Sequence, residues 1–237
     1  MQLSESTVDV LRNFSGINQN LLIKTGSTIK TISEAKNVVA RADIAENFEK
    51  DFGIYDLNEF IGVMGLVNNP DLKFEDDFVI VQDESGRSKV KYFYAAEETV
   101  TTPTKDVTMP EPDVKFTLDN DTLNKLKKAA STLGHDELSI SAKDGVLSLS
   151  IVENQNATSN AFSIDIDGEF RQDAVFNFII KISNLKILAG DYDVEISSRL
   201  ITQFKHKEVG VRYWIALEKT STYGAWHVRK FEAIKRP

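Results

Sequence analysis

The sequence predicts an α+β protein of two similar domains, each an antiparallel sheet with two helices packed on it. Three observations carry that prediction. The opening run Leu3-Ser4, Thr7-Val8, Leu11-Arg12 returns 115 positions later as Leu118-Asp119, Thr122-Leu123, Leu126-Lys127. Each copy is a polar cap followed by apolar residues at helical spacing, so one domain is written twice. Segments of alternating apolar residues follow each helix, as half-buried strands require. Between the halves Pro103, Pro110 and Pro112, three of the five prolines, stand among Thr99, Thr101, Thr102 and Thr104, a composition that resists both helix and central strand. They mark an extended connector over 99–113 between domains 1–98 and 114–237.

In the first half Val8, Leu11 and Phe14 share a face, which predicts a helix from Ser4 to about Ile17. Strands follow at Leu21 to Thr25, Thr28 to Ile32 and Val38 to Asp43, with Gly26 turning the chain between the first two. Asp56 caps a second helix, Leu57 to Asn68, which ends before Pro70. Phe78 to Val81 and Val90 to Tyr94 complete the half. The second half repeats the order: a helix from Asp119 to Leu133 stopped by Gly134, then strands at Leu138 to Ser141, Val146 to Val152 and Phe162 to Ile166. After a strand at Val175 to Ile180, a short fourth helix is expected at Ser183 to Leu188, ended by Gly190. Alternation resumes at Tyr192, Val194 and Ile196, and Val209 to Leu217 ends the pattern.

Composition removes several function classes. The chain has 237 residues, 41% hydrophobic and 27% charged, with no cysteine. It can bury a core in each half, and disulfides, thiolate nucleophiles and sulfur ligands are excluded. No apolar run approaches a membrane span and the N-terminus lacks a signal-peptide pattern, so no membrane partner is expected. The sequon Asn156-Ala157-Thr158 is read as ordinary loop sequence. A net charge of −8 argues against a protein that coats nucleic acid nonspecifically, because phosphate contact needs lysine or arginine.

Catalytic and metal motifs are missing. His135, His206 and His227 are the only histidines, and none has a partner at metal-ligand spacing. No nucleophile elbow, phosphate-cradling loop or dinucleotide fingerprint is present. Asp165-Ile166-Asp167-Gly168-Glu169 opens like a calcium loop, but its glycine stands at the fourth place instead of the sixth and no bidentate glutamate closes it; a strand-ending turn is the reading. No enzyme activity, cofactor or metal is expected. What stands out is Lys125, Lys127 and Lys128 within one helical turn of an acidic chain. With Leu123, Leu126, Ala130 and Leu133 on one face, the 3.6-residue period puts Lys125 and Lys128 roughly opposite and Lys127 on the flank. Solvation alone accounts for most such lysines; in the first repeat, however, Arg12 and Asn13 occupy the places of Lys127 and Lys128, so two equivalent helices line one surface.

The sequence also resembles a known family, the sliding clamps, or DNA polymerase processivity factors, of T-even-type tailed bacteriophages. The resemblance lies in Leu3-Ser4, Thr7, Leu11-Arg12-Asn13-Phe14 and Ile17-Asn18. It continues in Ile54-Tyr55-Asp56-Leu57-Asn58 with Phe60, Gly62 and Leu66-Val67-Asn68, then in Phe176-Asn177-Phe178-Ile179-Ile180, Gly190-Asp191-Tyr192 and Ala216-Leu217-Glu218. It runs from Met1 to about Tyr223, and the tail from Ala225 to Pro237 is assigned nothing from it. The resemblance implies the DNA clamp fold with sheet outside and helices inside, assembled as a closed homotrimeric ring threaded by double-stranded DNA. It implies the replicative DNA polymerase and an ATP-driven clamp loader as partners, in the cytoplasm of an infected bacterial host. The DNA-facing set expected is Arg12, Lys125, Lys127 and Lys128, with Lys181 and Lys186 near the short fourth helix. The helix from Leu57 to Asn68 departs from this in having no basic residue, and the resemblance places a partner-peptide pocket near the connector.

There are two rival readings, the first of which shares the acidity, the absence of cysteine and the repeat. A β-rich virion structural or assembly protein would not need lysines opposite a leucine stripe. A single-strand binding module would need exposed aromatics interleaved with cations, for which Lys89, Lys91, Tyr92, Phe93 and Tyr94 are the one patch, although Tyr92 and Tyr94 alternate as core residues do.

Overall fold

A computed structural model describes residues 1–153 and 159–225; the sequon and His227 lie outside the described residues. The chain is α+β with antiparallel sheets, and it divides into two compact units. The first comprises Met1–Asp106 with Lys186–Leu188 and Gly210–Arg212, the second Val107–Leu185, Ala189–Val209 and Tyr213 onward.

The first unit opens with α1 (Glu5–Ser15), which Ser4 caps by accepting the Thr7 N–H. Val10, Leu11 and Phe14 are buried along it. Strands β1 (Leu21–Ile23), β2 (Gly26–Ile32), β3 (Val38–Phe48) and β4 (Phe52–Ile54) follow, hydrogen-bonded in the order β3-β2-β1-β4. Phe52, Gly53 and Ile54 are all buried, so β4 shows no alternation by which the sequence could announce it. Helix α2 (Leu57–Met64) begins at Asp56, whose carboxylate accepts the N–H groups of Asn58 and Glu59 at 2.9 and 3.0 Å. It is shorter than predicted. Gly65 is its C-cap, and Gly62 and Gly65 both weaken continuation toward Asn68. Strands β5 (Asp71–Phe74), β6 (Phe78–Gln82) and β7 (Lys89–Phe93) form a second, three-stranded sheet. Beneath them Phe52 meets Phe48, Phe74 and Tyr94 at ring-centroid distances of 5.7, 5.2 and 5.1 Å. Helix α1 packs on α2 and β3.

The second unit begins with β8 (Val114–Leu118) and α3 (Asn120–Leu133), continues through β9 (Glu137–Lys143), β10 (Val146–Val152), β11 (Phe162–Ile166), β12 (Gly168–Phe170) and β13 (Ala174–Lys181), and closes with β14 (Tyr192–Ser197), β15 (Ile201–His206), β16 (Val211–Ala216) and β17 (Thr222–Ala225). One set of strands runs β12-β8-β14-β15-β16, the other β11-β10-β9-β13-β17. The β9–β10 hairpin turns on Asp144 and Gly145 at φ 52° and 81°, the positive values a tight two-residue turn needs. Helix α3 packs on β10 and β11, burying Leu123, Leu126 and Ala130.

The expected fourth helix is only a 3-10 turn, Ile182–Asn184. Leu185 and Ile187 beyond it are 2% and 5% exposed, a burial period of two that suits extended chain better than a helix. His206, also buried, has Nε2 3.0 Å from the carbonyl of Ala189 and accepts the N–H groups of Glu208 and Val209 on Nδ1 at 3.1 Å each. Those bonds place its proton on Nε2, and they give the histidine a structural role.

Candidate nucleic-acid interface

The cationic face starts with how α3 is held. Asp119 accepts the Thr122 N–H at 2.7 Å, and Thr122 Oγ1 donates to its other oxygen at 3.1 Å. That pair of bonds keeps the Asp119 carboxyl below the usual carboxylate range, the backbone N–H being the main cause. At the other end Gly134 adopts the left-handed conformation at φ 69°, which ends the helix without strain. With its apolar stripe fixed against the sheet, α3 exposes Asn124, Lys125, Lys128 and Ser131. Lys125 Nζ lies 2.6 Å from Asp121 one turn earlier, and this hydrogen bond raises its pKa. Both partners are exposed, so the pair is weak and readily exchanged. Lys128 has no ion-pair partner among the described residues, and its side chain is exposed. Lys127 is half-buried on the flank, and desolvation lowers its pKa.

The other expected cations sit differently. Arg12 Nη1 binds Asp9 on its own helix at 3.0 Å, and Arg12 also lines a cavity of about 240 Å³ with Leu3, Val8, Ile61, Met64 and Val67. Lys181 is on β13, where it bridges Asp136 at 3.1 Å and Glu137 at 2.9 Å; the Glu137 hydrogen bond is the main cause of its raised pKa. Lys186 is exposed, and its carbonyl accepts the Asn13 side-chain amide at 3.1 Å. The sequence could not announce the Lys181 bridge, because it joins residues more than forty positions apart.

The patch around β7 also resolves. Tyr92 is buried and donates to the carbonyl of Asp56 at 3.2 Å. Tyr94 packs on Phe52, and burial pushes its hydroxyl up to about 12. Phe93 is 64% exposed, and Lys91 Nζ stands 3.9 Å from the ring centroid of Phe78 and 5.5 Å from that of Phe93. A basic, aromatic strand thus ends the β5-β6-β7 sheet. At the end of the other unit's sheet, β11 exposes Ser163 and Asp165. The start of the connector is anchored within the first unit: Val100 is buried, the Thr101 N–H donates to Asn20 at 2.8 Å, and Lys30 pairs with Asp106.

The segment read as a calcium-loop opening is split between β11 and β12, and Asp165 accepts from Ser148. Among the described residues no group of three or more metal-ligating side chains is gathered, and no helix is long and apolar enough to cross a membrane.

Two family models cover the chain in order. One described as DNA polymerase processivity factor matches residues 4–102, and one described as gp45 sliding clamp, C terminal, matches residues 115–219. The sliding clamp of Vibrio phage KVP40 is 34% identical over 223 residues, covering 92% of this chain and 99% of the relative. That of Enterobacteria phage T4 is 30% identical over 240 residues, covering 94% and 99%. Among solved structures, the PCNA2–PCNA3 complex from Sulfolobus tokodaii superposes with a TM-score of 0.67 at 14% identity, covering 92% of this chain and 99% of that chain. The proliferating cellular nuclear antigen of Entamoeba histolytica gives 0.64 at 14% identity, covering 90% and 94%.

Proposed function

The chain belongs to the sliding clamp family of DNA polymerase processivity factors, and on that premise we propose that three copies close into a ring around duplex DNA and tether the replicative polymerase to its template. The observation that carries this reading is the pair of family models laid end to end over residues 4–102 and 115–219. The repeated architecture supports it, since a head-to-tail ring needs two different faces on one chain and a rotation that closes.

The two exposed strand edges are suitable joints. Antiparallel pairing of β7 on one copy with β11 on the next brings Lys91 opposite Asp165, Lys89 opposite Asp167 and Phe93 opposite Ser163. The same register sets Val90 and Tyr92 against Ile166 and Ile164, so exposed residues meet exposed ones and the inward faces match. A one-residue slip would destroy both matches. Such pairing satisfies backbone groups that a bare edge leaves to water.

A closed ring need not grip DNA tightly, because escape requires a joint to open. Sequence-independent phosphate contacts, many through water, permit sliding. The tethered polymerase rebinds the primer end at high effective concentration after each dissociation. The clamp does no covalent chemistry in this scheme, and opening falls to an ATP-driven loader in the cytoplasm of the infected host.

Loading onto nicked circular duplex provides the test. The protein is expected to stay on the circle through gel filtration and to be lost when the circle is cut once; equal loss from intact and cut circles would overturn encirclement. A virion structural protein would show no dependence on DNA topology.

A further inference from the structure

We infer that each copy meets the duplex chiefly through α3, so that three cationic helices, one from each copy, carry most of the phosphate contact. The inference rests on the clamp reading and concerns which of the repeated helices carries the phosphate contact.

The repeat permits a position-by-position comparison. At the offset of 115 residues, Lys125, Lys127 and Lys128 correspond to Val10, Arg12 and Asn13, and Asn124 corresponds to Asp9. Val10 is 2% exposed, part of the core, whereas Lys125 stands in solvent. Arg12 is paired with Asp9 at 3.0 Å much as Lys125 is with Asp121 at 2.6 Å, both pairs being exposed, and it also lines the cavity formed with Leu3, Val8 and Ile61. Asn13 carries no charge, and its amide is committed to the carbonyl of Lys186. Each helix thus spends one cation on an acid of its own, and only α3 has cations left over, Lys127 and Lys128. The place of Asp9 is taken in α3 by neutral Asn124, so Asp121 is the one acid set against three lysines there.

Net charge points the same way. Helix α1 carries Glu5, Asp9 and Arg12, a balance of −1, and α2 carries only Glu59. Helix α3 carries Asp121 against three lysines, a balance of +2. Exposed Lys186, whose carbonyl accepts from Asn13 of α1, offsets the balance of that helix, so a duplex in the ring is attracted most strongly at α3, since at such range the sign and size of the local field decide approach. The exposed residues of α2, Asn58, Glu59 and Gly62, supply no cation.

Salt dependence separates the helices. Binding of the intact ring to an end-labelled linear duplex, which it can thread, is followed by anisotropy over a salt series; each phosphate contact contributes a slope of about −0.9 in log K against log salt. Lys125→Gln with Lys128→Gln is expected to flatten the slope, by up to about 2.7 for each lysine position when all three copies engage. Arg12→Gln is expected to flatten it by much less. Equal flattening by Arg12→Gln, or no flattening by the double lysine variant, overturns the inference. Retention of wild-type protein on nicked circles is scored separately, so a failure of the clamp reading is told apart from a wrong assignment of helices. Circular dichroism of each variant confirms that the neutral surface changes leave the fold intact.

Discussion

Reversing one charge at the proposed joint should weaken the ring by a calculable amount. In the register that pairs Lys91 with Asp165, Lys91→Glu turns an attraction across the strands into a repulsion. Opposite charges directly across an antiparallel pair contribute about 0.2–1 kcal/mol, and like charges cost a similar amount, so the change is about 1 kcal/mol per joint. Three joints close the ring, giving about 3 kcal/mol in all, or about a hundredfold in the assembly constant at 1.4 kcal/mol per factor of ten. The Lys91 contact with the Phe78 ring at 3.9 Å lies within one copy and is lost in separated and assembled protein alike. Analytical ultracentrifugation over a concentration series reads the effect directly. Asp165→Lys should weaken assembly similarly; the Ser148 bond it loses lies within one copy and costs the fold, not the assembly. Combining Lys91→Glu with Asp165→Lys should restore most of the wild-type constant, because every joint then holds an opposite pair again. Two single variants that assemble like wild type, or a double variant no better than either single, would refute the register.

Other perturbations test the scaffold behind the two surfaces. Asp119→Ala removes the cap of α3 and should cost about 1 kcal/mol, a fall of about 2–4 °C in melting temperature for a chain of this size, whereas Asp119→Asn should keep most of the cap. The depressed Asp119 pKa also gives a sign: the cap's stabilisation is complete above the ordinary carboxylate value of 3.8 and is lost as pH falls through the lowered folded value, so the Asp119→Ala deficit should shrink in an acid titration of the melting temperature. Gly190→Ala should destabilise by about 1–3 kcal/mol from the backbone alone, since φ is 141° there and a Cβ would overlap the His206 ring; denaturant melts measure it. Phe52→Ala empties the centre of the Phe48, Phe74 and Tyr94 cluster and should cost about 3–5 kcal/mol, seen as early loss of hydrogen-exchange protection in the first unit.

The elements legible in the sequence were those with a clean period and a cap. Helices α1 and α3 announce themselves through Ser4 and Asp119, and the strands at Val146–Val152 and Phe162–Ile166 through strict alternation. Two strands escaped notice despite alternating, β8 through Val114, Phe116 and Leu118 and β15 through buried Thr202, Phe204 and His206; most of the rest lacks a period of its own. Strands β4, β5 and β12 are three or four residues long, and β4 is buried on both faces. The 3-10 turn after Lys181 looked helical because apolar residues cluster from Ile182 to Leu188; only their burial in the fold shows the period to be two. At the candidate interface, residue type located the lysines of α3, while the commitments of Arg12 and Lys181 depend on partners that tertiary structure selects. The acidic edge of β11 and the basic edge of β7 have meaning only once sheet order shows that nothing in their own sheets covers them.

An acidic chain with one lysine-bearing helix is a coherent arrangement for a protein that must hold DNA and still move along it. Raising salt weakens phosphate contact steeply, because counterions released on binding must be driven off again. At a joint between strands, salt screens only the charge pairs and leaves the backbone hydrogen bonds and the Val90, Tyr92, Ile164 and Ile166 contacts largely intact. Attraction to the duplex and closure of the ring are thus tied to different forces. Adding cations to α1 would strengthen the first without strengthening the second, so the cost would appear as friction in sliding while the lifetime on a closed circle gained nothing. Concentrating the charge on α3 keeps the duplex centred chiefly by three weak contacts and leaves retention to topology.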